Sequence, residues 1–169
     1  NDRMVISLDN STPKIMAGLS FGGSYGSFDF DVLFQGAAKV KLLLYSGARS
    51  FNLRSGGNNF VDMLDYWTPE NPNAKYAAPF FLTQDADAFD SNLYLRDASY
   101  IRLKSVNIGY NLPNAVLKSI HVERFRLYVS GTNLLVWDKG LMFDPEVSNG
   151  SGNYYPQQRT YNLGINLTF

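Results

Sequence analysis

A chain of 169 residues and 19.0 kDa is long enough for one domain with a substantial core. Its 15 basic and 15 acidic residues cancel, which excludes both the basic field that recruits nucleic acid and the acidic tail that solubilises a chain. Charged residues reach only 18% while aromatics reach 15%, against about a quarter charged in ordinary soluble domains. Cysteine is absent, so no disulfide framework is available. No run of about 18 apolar residues occurs, which excludes a transmembrane helix. The opening "NDRMVISLDN" shows neither an initiator Met nor a signal peptide, and is read as the middle of something larger.

Five segments alternate with period two, the pattern of strands with one apolar face. In "IMAGLSFGG", Ile15, Ala17, Leu19 and Phe21 oppose Gly18, Ser20 and Gly22. In "FDFDVLFQG", Phe28, Phe30, Val32 and Phe34 oppose Asp29, Asp31 and Gln35, with Leu33 the one break, and "SYGS" (24–27) turns the two segments into a hairpin. "YIRLKSVNIGYNLP" sets Val106, Ile108 and Tyr110 against Ser105, Asn107, Gly109 and Asn111; Ile101 and Leu103 are out of phase, which predicts a bulge or a change of environment. "LPNAVLKSIHVE" is a compact connection with a helical turn after Pro113. Next, "ERFRLYVSGTNLLVW" opposes Phe125, Leu127 and Val129 to Arg124, Arg126, Tyr128 and Ser130. The chain ends on "YNLGINLTF", with Tyr161, Leu163, Ile165, Leu167 and Phe169 on one face. The expected strands are 15–23, 28–37, 99–111, 123–137 and 158–169, separated by long Gly-, Asn- and Pro-rich loops at 38–98 and 138–157.

A soluble antiparallel sandwich is the ordinary setting for such strands. Three features point instead to an all-β, antiparallel transmembrane β-barrel segment. The polar faces are built from Asn, Ser, Thr and Gly with few Lys or Glu, which suits a wet enclosed lumen, while the opposite faces are aromatic and broad. Short connections fall on one side and long loops on the other, and Phe28, Tyr110, Phe125 and Phe169 then share one rim as an interfacial girdle. The segments also approach the nine to eleven residues that a tilted strand needs to cross hydrocarbon. Five strands cannot close a barrel, and backbone in lipid must pair, so partner strands are required from elsewhere. A terminal aromatic preceded by apolar residues at every second position has the form of an outer-membrane sorting signal, carried here by Tyr161, Leu163, Ile165, Leu167 and Phe169.

Several stretches resemble the C-terminal part of SusC/RagA-type TonB-dependent outer-membrane transporters: "STPK" (11–14), "FDFDVLFQG" (28–36), "WTPENPNAKY" (67–76), "LRDASYIRLKSVNIGYNLP" (95–113), "RLYVSGTNLLVW" (126–137), "DPE" (144–146) and "YYPQQRTYNLGINLTF" (154–169). The resemblance covers nearly the whole chain, and 95–113 is its most specific piece. It implies the last about five strands of a 22-stranded barrel, with the plug domain and TonB box absent from this chain. It further implies import of a glycan, oligosaccharide or oligopeptide nutrient across a Gram-negative outer membrane. The implied partners are a SusD-like lipoprotein, the TonB complex through parts not in this chain, the remainder of the barrel and outer-membrane lipid, with no nucleic acid. Two other readings compete. One is a passive porin-like or structural outer-membrane barrel, with no plug upstream. The other is a soluble carbohydrate-binding β-sandwich, which would stay in solution without detergent.

No catalytic residue, cofactor or metal site is expected. His121 is the one histidine, so neither a His cluster nor a Ser-His-Asp arrangement is available, and it reads as a solvated turn residue. Asp85, Asp87 and Asp90 lack the Gly and distal Glu of an EF-hand loop. Asp29 and Asp31 alternate into the lumen, with nothing to mark them as an acid–base pair. "SGG" and "FGG" lack the Lys-Ser/Thr of a phosphate loop. Of the sequons at Asn10, Asn149 and Asn166, the last sits inside a strand. Tyr66, Trp67, Tyr76, Phe80 and Phe81 suit either ligand stacking or a small core that orders the long loop, and the core is the favoured reading. "NYYPQ" (153–157) is ambiguous in the same way, and ligand contacts are left unassigned.

Overall fold

A computed structural model describes residues 11–45, 48, 58–79, 91–119, 122–146 and 150–169. In chain order its elements are β1 (Ile15–Tyr25), β2 (Phe28–Ala38), β3 (Lys41–Leu43), β4 (Leu95–Asp97), β5 (Tyr100–Asn111), α1 (Asn114–Ser119), β6 (Arg124–Asp138) and β7 (Thr160–Thr168). The long strands form one five-stranded sheet in the order β1-β2-β5-β6-β7, and β3 pairs with β4 in a separate two-stranded sheet. The chain divides into two compact units: the large sheet (16–37, 100–137, 157–169), and a second unit drawn from 1–15, 38–99 and 138–156.

The sheet follows from alternation and turn chemistry. β1 runs on to Tyr25, so its hairpin with β2 closes on Gly26 and Ser27 alone, tighter than the four-residue turn expected. Gly26 has φ +60, the conformation that a two-residue hairpin demands of its first central position. β2 and β5 pair antiparallel from Phe28↔Tyr110 through Phe30↔Ile108 and Val32↔Val106 to Leu33↔Ser105; the next pair is Phe34↔Leu103, which leaves Lys104 as an extra residue. That bulge returns Leu103 and Ile101 to the face of Val106 and Ile108, which is why the sequence phase slips there. After Pro113, whose carbonyl accepts from the Val116 amide at 2.9 Å, α1 is one short turn of helix that buries Leu117.

β6 and β7 pair antiparallel from Arg124↔Thr168 to Thr132↔Thr160, with Leu127 beside Ile165. Phe30, Leu127 and Ile165 thus lie in one sheet rather than meeting across two, and they remain 43%, 40% and 56% exposed. Beyond this ladder Asn133 has φ +53 and its side-chain amide donates to the Gln158 carbonyl at 3.1 Å. Asn tolerates that left-handed conformation better than most residues, and the apolar run "NLLVW" gives no sign of it.

The second unit carries its own core. Val40, Leu42, Leu44, Ala48, Tyr94, Ala98 and Phe143 are buried together, with Phe60, Leu141, Met142 and Tyr154 packed against them. Burial of a large apolar side chain contributes about 1.5–3 kcal/mol, so a handful of such residues orders a long excursion between strands. The segment 38–98, expected as loop, therefore contains both β3 and β4. Among the described residues, no helix is long and apolar enough to cross a membrane.

Candidate functional site

Functional surface on this chain is the sheet itself, and its two faces differ. On the apolar face Leu19, Phe21, Phe28, Ile108, Val129, Leu163 and Leu167 are all about half exposed or more. In water each would forgo roughly half of the 1.5–3 kcal/mol that full burial contributes, and a contiguous patch of this kind is not carried by a soluble monomer. Hydrocarbon removes that penalty while adding nothing that a polar group needs.

At the end of the sheet that bears the short connections, aromatic rings form a border. The Phe28 and Tyr110 rings lie 4.9 Å apart between centroids. Phe125, whose carbonyl accepts from the Leu112 amide at 2.9 Å, continues the row beside Leu167, and Phe169 follows two residues on, 83% exposed. Girdles of aromatic residues mark the membrane–water boundary of transmembrane barrels, and the Tyr110 hydroxyl gives this border one ring with a polar end. Of the residues proposed to carry sorting, Tyr161, Leu163, Ile165 and Leu167 lie on β7, exposed as a set, and Phe169 lies one residue past its end.

The opposite face is polar and internally paired. Arg126 on β6 donates through Nε to Asp29 Oδ1 of β2 at 3.0 Å and through Nη2 to Asp29 Oδ2, a two-pronged charge-assisted contact. Asn111 Nδ2 donates to Asp29 Oδ1 at 2.7 Å, and the Arg126 guanidinium lies 5.2 Å from the Tyr128 ring centroid. Sequence reading placed Asp29 on this face but not its partner. The signal was there: a carboxylate on a weakly charged face needs a cation, and Arg124 and Arg126 are the basic residues with matching parity on β6. Paired in this way, Asp29 is an ion-pair member rather than half of an acid–base couple with Asp31.

Aromatics in the second unit serve mainly as core. Tyr76 and Met63 are 1% exposed; the Tyr76 hydroxyl donates to Asp62 Oδ2 at 3.2 Å, and Arg96 stacks over its ring at 5.4 Å. The segment "WTPENPNAKY" folds back on itself. Trp67 N–H donates to the Tyr76 carbonyl and Asn71 N–H to the Thr68 carbonyl, closing a turn with Pro69 at its favoured second position. Trp67 stays 47% exposed. In "NYYPQ", Tyr154 packs on Phe143 with centroids 5.6 Å apart, while Tyr155 is 81% exposed. Asp97 feels burial, which raises a carboxyl pKa, but hydrogen bonds from the Ser99 hydroxyl and amide outweigh it and hold the pKa below its usual value. Phe80, Phe81, Asp85, Asp87, Asp90, His121, Asn10 and Asn149 lie outside the described residues. Among the described residues, no group of three or more His, Cys, Asp or Glu is placed to hold a metal ion.

An antiparallel sheet with one uncovered apolar face, an aromatic border and a self-paired polar face is a section of a transmembrane β-barrel wall. Comparison with known proteins gives the family. Over 96% of its length the chain is 32% identical to TonB-dependent receptor P26 of Formosa agariphila, of which it spans 18%. It is 24% identical over 92% of its length to TonB-dependent receptor SusC of Bacteroides thetaiotaomicron, of which it spans 15%. Its fold matches the RagAB peptide importer in the closed-closed state with a TM-score of 0.74 and 28% identity, covering 96% of this chain and 18% of that one. No protein-family model matches the chain. The chain belongs to the SusC/RagA type of TonB-dependent receptor, and spans under a fifth of the length of these relatives.

Proposed function

We propose that this chain is the C-terminal wall section of a SusC-like TonB-dependent transporter in a bacterial outer membrane. The assembled protein imports an oligosaccharide or oligopeptide and is not itself an enzyme. A SusD-like lipoprotein works at its outer mouth, the TonB complex supplies energy through parts outside this chain, and the remaining strands close the barrel. The observation that carries this reading is the half-uncovered sheet. Its apolar side chains, from Leu19 to Leu167, have no protein to pack on within the sheet unit, whereas lipid outside and a wet lumen inside satisfy both faces. The fold match to a peptide importer over nearly the whole chain supports the transport class.

The test is uptake by cells that express the full-length protein, offered labelled oligopeptides and oligosaccharides in turn. One of the two classes is expected to enter only when the inner membrane is energised and TonB is present. Entry that persists without TonB would replace this reading with that of a passive pore. The sorting role is tested separately: removal of Phe169 is expected to lower the amount of assembled barrel in the outer membrane severalfold, and unchanged assembly would remove that role.

A further inference from the structure

On the polar face of the sheet, large side chains recline over glycines of the neighbouring strand. A side chain added at Gly109 on β5 would collide with the Arg126 guanidinium, and one at Gly164 on β7 with the Tyr128 ring. A Cβ at Gly22 on β1 would come within 3.1 Å of Asp31 Oδ2. Gly109 is the register partner of Asp29. Arg126 therefore crosses the whole width of β5, at the one position where that strand has no side chain, to reach a carboxylate on β2. β2 and β6 are not neighbours in the sheet, so no backbone hydrogen bond joins them.

We propose that Arg126 is a positioning residue that fixes strand register across β2, β5 and β6, with Gly109 as its seat. Alternation of apolar and polar residues rejects a one-residue slip, because every side chain would change face. It does not reject a two-residue slip, which preserves both faces and moves one strand by about 6.8 Å along its neighbour. Gly-rich strands are the ones in which such slips are weakly opposed. A bidentate contact at 3.0 Å does not survive a displacement of that size, since a hydrogen bond is lost beyond about 3.5 Å. The strap thus specifies what parity leaves degenerate. The Asn111 amide, which also donates to Asp29, ties the same carboxylate to β5 itself.

The inference rests on the barrel reading only in taking the polar face as the interior. Its test uses the full-length protein in outer membranes and follows the temperature at which the folded barrel converts to the slower-migrating unfolded band in detergent gels. R126A and G109L are each expected to lower that temperature, and the double variant to fall little further, because both remove the same contact. The exchange D29R with R126D is expected to recover most of the loss. Losses that add, or an R126A barrel as heat-resistant as the parent, would overturn the proposal. Should R126A not assemble, the exchange decides: restored assembly supports the strap, and continued failure overturns it. A parent protein that shows no folded, heat-modifiable band at all would count against the barrel reading instead.

Discussion

Tyr76 shows how a single side chain is tuned outside the membrane wall. Burial withholds water from its phenolate, and the Asp62 carboxylate adds repulsion, so its pKa is pushed up to about 12 from 10.0. The folded state thus keeps a proton that the unfolded chain gives up first. The stability this lends the second unit is complete below pH about 10 and lost as pH rises through about 12. Limited proteolysis of the unit in the detergent-solubilised full-length protein, run across that window, is expected to show accelerating cleavage. In Tyr76→Phe the pH step should vanish, at the cost of the hydrogen bond to Asp62. Tyr76 also marks the boundary of what was legible at this scale. Its aromatic character was plain in "NAKY", but whether it stacked on ligand or on core depended on Asp62 and Arg96, which lie 14 and 20 residues away in sequence.

At the scale of elements, β5 carries a phase error that the sequence displayed openly. Lys104 is the extra residue between the pairs Leu33↔Ser105 and Phe34↔Leu103, and this bulge keeps Ile101 and Leu103 on the hydrocarbon face. Deletion of Lys104 would give a strand that alternates without interruption, since Leu103 and Val106 would then be separated by Ser105 alone. That variant is expected to assemble in the outer membrane with little loss. Replacement of Leu103 by Asp, on the same strand but aimed at lipid, is expected to reduce assembly sharply. Equal yields from the two would show that the face assignment above the bulge is wrong. The hairpin was legible from "YGS", although its tighter closure depends on the positive φ that Gly26 alone adopts there. Asn133 was not legible, because a left-handed residue inside "TNLLVW" alters no pattern that periodicity can detect.

The whole molecule is governed by which face meets lipid. Leu163 and Asn162 are adjacent on β7, both exposed and aimed at opposite sides. An arginine at the bilayer midplane costs about 2–4 kcal/mol on the lipid face of a barrel and little in the lumen. Leu163→Arg is therefore expected to depress the amount of folded barrel strongly, and Asn162→Arg hardly at all. The measurement is band-shift quantification of each variant in isolated outer membranes, and equal losses would refute the orientation.

Sequence by itself determined the all-β class, the two faces and the expectation that other strands must close the barrel. These rest on local periodicity and on the fixed demand of backbone groups for partners in lipid, both of which can be read one residue at a time. Tertiary structure alone decided which residues build the core of the 38–98 connection, that Asn133 turns left-handed, and that Arg126 reaches Asp29 over Gly109. Those outcomes depend on residues brought together from distant parts of the chain, 97 positions apart for the ion pair. No local pattern encodes such a meeting; only the register of the assembled strands does.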